Sequence, residues 1–169
     1  RLINFVLQKS VIFQFPLISL LFKLMSYQLK TSYLISEENP VLIVTWSKYY
    51  CPPCIKMLNR LKDQIPLLEQ KYGLRFIAVN VDDSNKFSSE ETQISFLKNF
   101  VDSLGWTFEN YIDIDQYFTK NFTETTPFFL LLKNGKMHSY FISYKTTIEN
   151  IENALNHINT NERYFNDNG

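Results

Sequence analysis

The chain has 169 residues, 45% of them apolar and 16% aromatic, with only four glycines. That is enough apolar material for one buried core but not for two comfortable domains, and with so many aromatics the chain does not read as disordered. Formal net charge is zero, unevenly placed: residues 1–36 carry Arg1, Lys9, Lys23 and Lys30 without an acid, and no basic stripe interleaves with aromatics, so a nucleic-acid partner is not expected.

The first feature along the chain is the apolar run VIFQFPLISLLF, Val11 to Phe22, broken by Gln14, Pro16 and Ser19. Its length suits a signal-peptide core better than a membrane span. Basic residues precede it, but no A-x-A cleavage site follows, and lysines on both sides set no topology. Two readings stand side by side. If the run exports or anchors the chain, the protein is periplasmic or faces outward from a membrane; if the true start is Met25, it is cytoplasmic. The expected division is an apolar, basic segment at 1–28, a folded domain at 29–160 and a flexible tail at 161–169.

From Pro40 onward the punctuation is regular. Val41–Trp46 (VLIVTW) is a short β-branched run and predicts a buried strand. Cys51 then opens a helix with Pro52 and Pro53 in its first turn, where a missing N–H costs little. Ile55, Leu58, Leu61 and Ile65 keep helical spacing, and Pro66 should kink or restart that helix. Leu74–Val81 predicts a second strand. Ser88 with Glu91 resembles a capping box for a helix carrying Ile94, Leu97, Val101 and Leu104, which Gly105 should close. A loop from Trp106 and a short helix near Asp115–Phe122 are expected next. Phe128–Leu132 reads as a third strand, Asn134–Gly135 as a hairpin turn, and Met137–Tyr144 as a fourth strand. Thr147–Asn159 closes as a helix with Ile148, Ile151, Leu155 and Ile158 inward. The order β-α-β-α-β-β-α implies an α/β domain, a mixed sheet with helices on both faces.

The two cysteines of the chain, Cys51 and Cys54, stand together as CPPC at the strand-to-helix junction. The first sulfur sits at a helix N-terminus, where unpaired N–H groups and the dipole favour a thiolate. The second lies one turn on, within reach of a mixed disulfide formed at the first. A structural zinc site needs four ligands, and only His138 and His157 remain, in unrelated elements. A purely structural disulfide across so short a loop constrains the unfolded chain little. Two inert buried cysteines remain an alternative, made harder to sustain by the intervening prolines. A peroxidase of the peroxiredoxin type would want a Thr three residues before the reactive Cys, and Lys48 stands there.

With YCPPC after VLIVTW, the Thr126–Pro127 step before FFLLLKNGK, and GWTFENYIDID between them, residues 29–160 resemble the thioredoxin superfamily. The nearest likeness is to TlpA-type, ResA-like thiol-disulfide oxidoreductases. The resemblance implies a thioredoxin fold with a central mixed sheet of four to five strands and helices on both faces. It implies that Cys51 attacks and Cys54 resolves. It also implies that Pro127 is a cis-proline facing the disulfide, and that Thr126 offers its backbone to an extended substrate segment. Tyr50, with Tyr49, would form an apolar rim where a partner docks. The expected partners are protein disulfides or dithiols and an upstream electron donor, acting on a monomer. No cofactor or metal beyond the Cys51–Cys54 couple is implied. A non-catalytic binding module of the same fold is the rival reading.

Three departures qualify the resemblance. Thr45 occupies the place of a buried Asp, Met57 that of a Glu, and Ser47 that of a Trp. A buried carboxylate can take the proton of the resolving thiol, so its loss bears on general-base assistance. Asp82 and Glu38 are the candidate substitutes, each expected as a solvated loop acid. Lys56 is expected on the wet face of its helix, and His138 as a half-exposed strand residue without a catalytic neighbour.

Overall fold

The computed structural model describes residues 2–4, 38–114, 116–121, 125–134 and 136–159. The Val11–Phe22 run, Met25 and the 161–169 tail lie outside the described residues, as do Asp115, Phe122 and Gly135. Six strands form one mixed sheet in the order β1-β4-β3-β2-β5-β6. They are β1 (Leu2–Asn4), β2 (Val41–Trp46), β3 (Arg75–Asn80), β4 (Glu109–Asp113), β5 (Phe129–Lys133) and β6 (Lys136–Phe141). The helices are α1 (Pro52–Leu61), α2 (Ile65–Tyr72), α3 (Glu90–Leu104), α4 (Tyr117–Asn121) and α5 (Ile148–Asn159). Among the described residues no helix is long and apolar enough to cross a membrane.

β2 lies in the middle of the sheet, parallel to β3 and antiparallel to β5. Its side chains alternate between two cores, so every position is buried. Leu42, Val44 and Trp46 join the cluster that packs α1, α2, α3 and α5, while Val41 and Ile43 join Ile77, Val79, Leu130 and Phe118 of α4 on the other face. This two-sided burial is why the run is continuously apolar and β-branched. Ordinary local signals set the helix boundaries. Pro52 and Pro53 occupy the first turn of α1, Ile65–Pro66 restarts the chain as α2, and Gly105 ends α3 with φ 65°. The cap of α3 is Ser89, whose side chain accepts from Thr92 N–H, one residue later than the expected Ser88.

The sheet has six strands rather than four to five. The stretch expected as loop after Trp106 contains β4, paired parallel to β3, and Leu2–Asn4 pairs antiparallel to β4. β4 escapes a hydropathy reading because Asn110 and Asp113 are polar yet buried. Local hydrogen bonds hold them: Asn110 donates to Phe108 O at 2.8 Å while its side-chain oxygen has no partner among the described residues, and Asp113 accepts from Phe118 N–H at 2.6 Å. Arg75 of β3 grips Glu109 of β4 through two bonds of 2.6 and 2.8 Å, a forked pairing that secures the junction.

Candidate active site

The site stands at the C-terminal end of β2, where the chain turns from Trp46 through Ser47–Tyr50 into α1. Cys51 caps α1, and its Sγ accepts from Cys54 N–H at 3.3 Å. The two sulfurs form a disulfide with Cα atoms 5.3 Å apart. Cys51 keeps 5% of its surface exposed and Cys54 none, so the outer sulfur is the one nearer solvent. Pro52 and Pro53 are both exposed on the first turn.

The second wall of the site arrives from far along the chain. The Thr126–Pro127 peptide bond is cis, Pro127 is buried, and the carbonyl oxygen of Thr126 lies 3.6 Å from Cys51 Sγ. Thr45 holds this segment in place. Its N–H donates to Phe128 O at 2.9 Å, and its hydroxyl accepts from Phe128 N–H at 2.9 Å. Both backbone groups of Phe128 are thus tied to the residue six places before Cys51. Thr45 therefore aligns the proline loop with the cysteine turn. Met57 is fully buried in the core beneath α1.

Asp82 is not the solvated loop acid expected from its place after β3. It is wholly buried, and it gathers the turn that leads into Cys51. Its Oδ1 accepts from the Ser47 hydroxyl and from Tyr49 N–H at 3.2 Å; its Oδ2 accepts from Lys48 N–H at 3.0 Å and Asn80 Nδ2 at 2.8 Å. Ser47 Oγ in turn accepts from Tyr50 N–H at 2.8 Å. Three successive backbone N–H groups and a hydroxyl are satisfied by one carboxyl group and its serine partner. Burial is favourable here because every oxygen has donors. The burial of Asp82 was missed from sequence, although Asn80-Val81-Asp82 at a strand end is a readable trace of the network. Glu38 is exposed, as expected.

The rim is aromatic and cationic. Tyr49 and Tyr50 are 43% and 61% exposed, and Tyr49 stacks on Phe96 at 6.3 Å and tilts against Phe87 at 6.0 Å. Lys48 Nζ stands 4.0 Å above the Phe96 ring, and Lys86 Nζ 4.7 Å above that of Tyr50. Lys86 was not singled out from sequence. Its ammonium is pushed above the ordinary lysine range, first by its hydrogen bond with the Tyr50 side chain. Lys56 is exposed on α1 and His138 half-buried on β6.

The chain is similar to StoA from Bacillus subtilis at 19% identity over 70% of this chain and 83% of that one, with a TM-score of 0.56. It is similar to a thiol-disulfide isomerase from Corynebacterium glutamicum at 15% identity over 74% and 83%, TM-score 0.59. A secreted Mycobacterium tuberculosis disulfide oxidoreductase homologous to E. coli DsbE superposes at 13% identity over 72% and 84%, TM-score 0.54. At such identities these likenesses speak for the thioredoxin fold. No curated protein sequence matches the chain. The family model of the AhpC/TSA family matches residues 14–150. With most of the sequence inside that match and a Cys51–Cys54 pair at the head of α1, the chain belongs to the AhpC/TSA family, as a thiol-disulfide oxidoreductase of thioredoxin fold.

Proposed function

We propose that the protein is a protein disulfide reductase that works through the Cys51–Cys54 dithiol itself. The observation that carries this reading is the placement of Cys51 Sγ between a helix N-terminus and the Thr126 carbonyl, with Cys54 sealed behind it. In the reduced protein the Cys51 thiolate attacks one sulfur of a substrate disulfide. A mixed disulfide forms and the other substrate sulfur leaves as a thiolate, which takes a proton. Cys54, as thiolate, then attacks Cys51 Sγ, closing the intramolecular disulfide and releasing the second substrate thiol. Two electrons have moved to the substrate. A dithiol donor returns them by the reverse exchange.

The segment at Thr126–Pro127 is where an extended substrate would lie, with Tyr50 as its apolar support. A defined test is equilibration of the purified protein with redox buffers. A potential near that of thioredoxin, about −270 mV, is expected for a reductase, with turnover of protein disulfides when a dithiol donor is supplied. A potential near −120 mV would make the protein an oxidant and reverse the proposed direction.

We further propose that the protein acts outside the cytoplasm, supported by the Val11–Phe22 run and by the secreted character of one structural neighbour. Fusion of residues 1–40 to a reporter active only outside the cytoplasm should give signal. A native N-terminus mapping to Met25, with activity confined to a cytoplasmic reporter, would overturn this.

A further inference from the structure

We infer that the rim beside Cys51 selects disulfide substrates that carry a carboxylate side chain next to the cysteine under attack. This deepens the reading above and rests on it. Tyr50 precedes Cys51 directly and is exposed, so a segment that presents its disulfide to that sulfur passes beside the Tyr50 ring. Lys86 Nζ stands over both rings, 4.7 Å from the Tyr50 centroid and 5.4 Å from that of Tyr49. Lys48 Nζ lies 5.2 Å from the Tyr49 centroid, 4.0 Å from that of Phe96 and 5.0 Å from that of Phe100.

Rings hold both ammonium groups, and among the described residues neither has a carboxylate within ion-pair distance. An aromatic face attracts a cation through its quadrupole, which fixes its position without cancelling its charge. The acids close by in sequence are otherwise engaged. Asp82 is buried against the 47–49 turn and Asn80. Asp83 is the acid whose field reaches Lys86, and its Oδ1 accepts from Asn85 N–H at 2.9 Å and Gln116 Nε2 at 3.3 Å. The result is a shelf of two aromatic rings, beside the turn that leads into Cys51, with two ammonium groups that lack an ion-pair partner among the described residues. An apolar residue of the substrate fits the shelf, and an Asp or Glu neighbour supplies the missing anion. A Lys or Arg there meets like charge.

The test uses the full chain, a dithiol donor and three disulfide-linked peptides identical except for Glu, Gln or Lys beside the cysteine. An uncharged small disulfide, 2-hydroxyethyl disulfide, is run in parallel. The Glu peptide should exceed the Lys peptide in kcat/KM by about tenfold at low ionic strength, shrinking towards unity in about 0.5 M salt. Lys86→Gln with Lys48→Gln should bring the ratio below about twofold. Lys86→Glu, at an exposed position, should turn the preference towards the Lys peptide. Turnover of the small disulfide with a Glu-to-Lys ratio near one would overturn this inference alone. An undiminished preference in Lys86→Glu would do the same. Absence of turnover with every disulfide would overturn it together with the reductase reading.

Discussion

Cys54→Ser should accumulate a stable mixed disulfide between Cys51 and its protein partner, whereas Cys51→Ser should trap almost nothing. The asymmetry follows from position. Cys51 caps α1 and retains some solvent access, while Cys54 lies one turn in and is fully covered. A thiolate at a helix N-terminus is stabilised by the dipole and by free N–H groups, and Cys54 N–H already points at Cys51 Sγ. Without Cys54 no nearby sulfur can displace the substrate, so the intermediate persists. Mass spectrometry of complexes trapped in cells expressing each variant reads the result and identifies the partner. Equal trapping by both variants would erase the assigned roles.

Asp82→Ala should lower stability by about 3 kcal/mol and slow disulfide exchange about tenfold, although Asp82 does not touch either sulfur. The substitution leaves the Ser47 hydroxyl and the Asn80 amide without their acceptor in the buried interior, and the Lys48 and Tyr49 N–H groups without theirs in a part-buried turn. An unmade buried hydrogen bond costs about 1–3 kcal/mol, and because the Lys48 and Tyr49 N–H groups are only part-buried and can turn to solvent, the total falls below the lower end of the four-bond sum. The turn that slackens is the one that delivers Tyr50 and Cys51. Asp82→Asn keeps the volume and one acceptor oxygen but turns an amide towards N–H donors, so a loss of about 1–2 kcal/mol is expected. Urea midpoints measure the first effect and single-turnover exchange with a small disulfide the second. A folded Asp82→Asn protein with unchanged exchange and unchanged midpoint would show that the turn holds itself. A fall in stability with full exchange activity would reduce Asp82 to a purely structural residue.

The placing of Asp82 also changes what the departures at Thr45 and Met57 mean. A hydroxyl at Thr45 can do what a carboxylate could not do without carrying charge into the core: it accepts one N–H while its own backbone returns a bond to the same residue, Phe128. Met57 fills core volume beneath α1. The buried carboxyl group near the motif belongs instead to the end of β3, where its oxygens are occupied with the 47–49 turn.

What the sequence determined by itself was everything whose cause lies within a few residues. The apolar, β-branched run Val41–Trp46 read as a buried strand, the two prolines after Cys51 fitted a first helical turn, and Gly105 supplies the positive φ that ends α3. The closeness of the two sulfurs is equally local, because the spacing alone puts them one turn apart. The tertiary structure decided the fate of polar residues, whose partners lie far off along the chain. Asp82 meets Ser47 across 35 residues, and Thr45 meets Phe128 across 83. β4 was hidden for a different reason: Asn110 and Asp113 are polar and read as loop residues, and the hydrogen bonds they make to Phe108 and Phe118, two and five residues away, leave no mark on a hydropathy pattern. An apolar side chain is driven inward by its own contact with water, so its burial is legible from pattern. A polar one can be buried only where donors and acceptors already converge, and that convergence is a property of the folded chain.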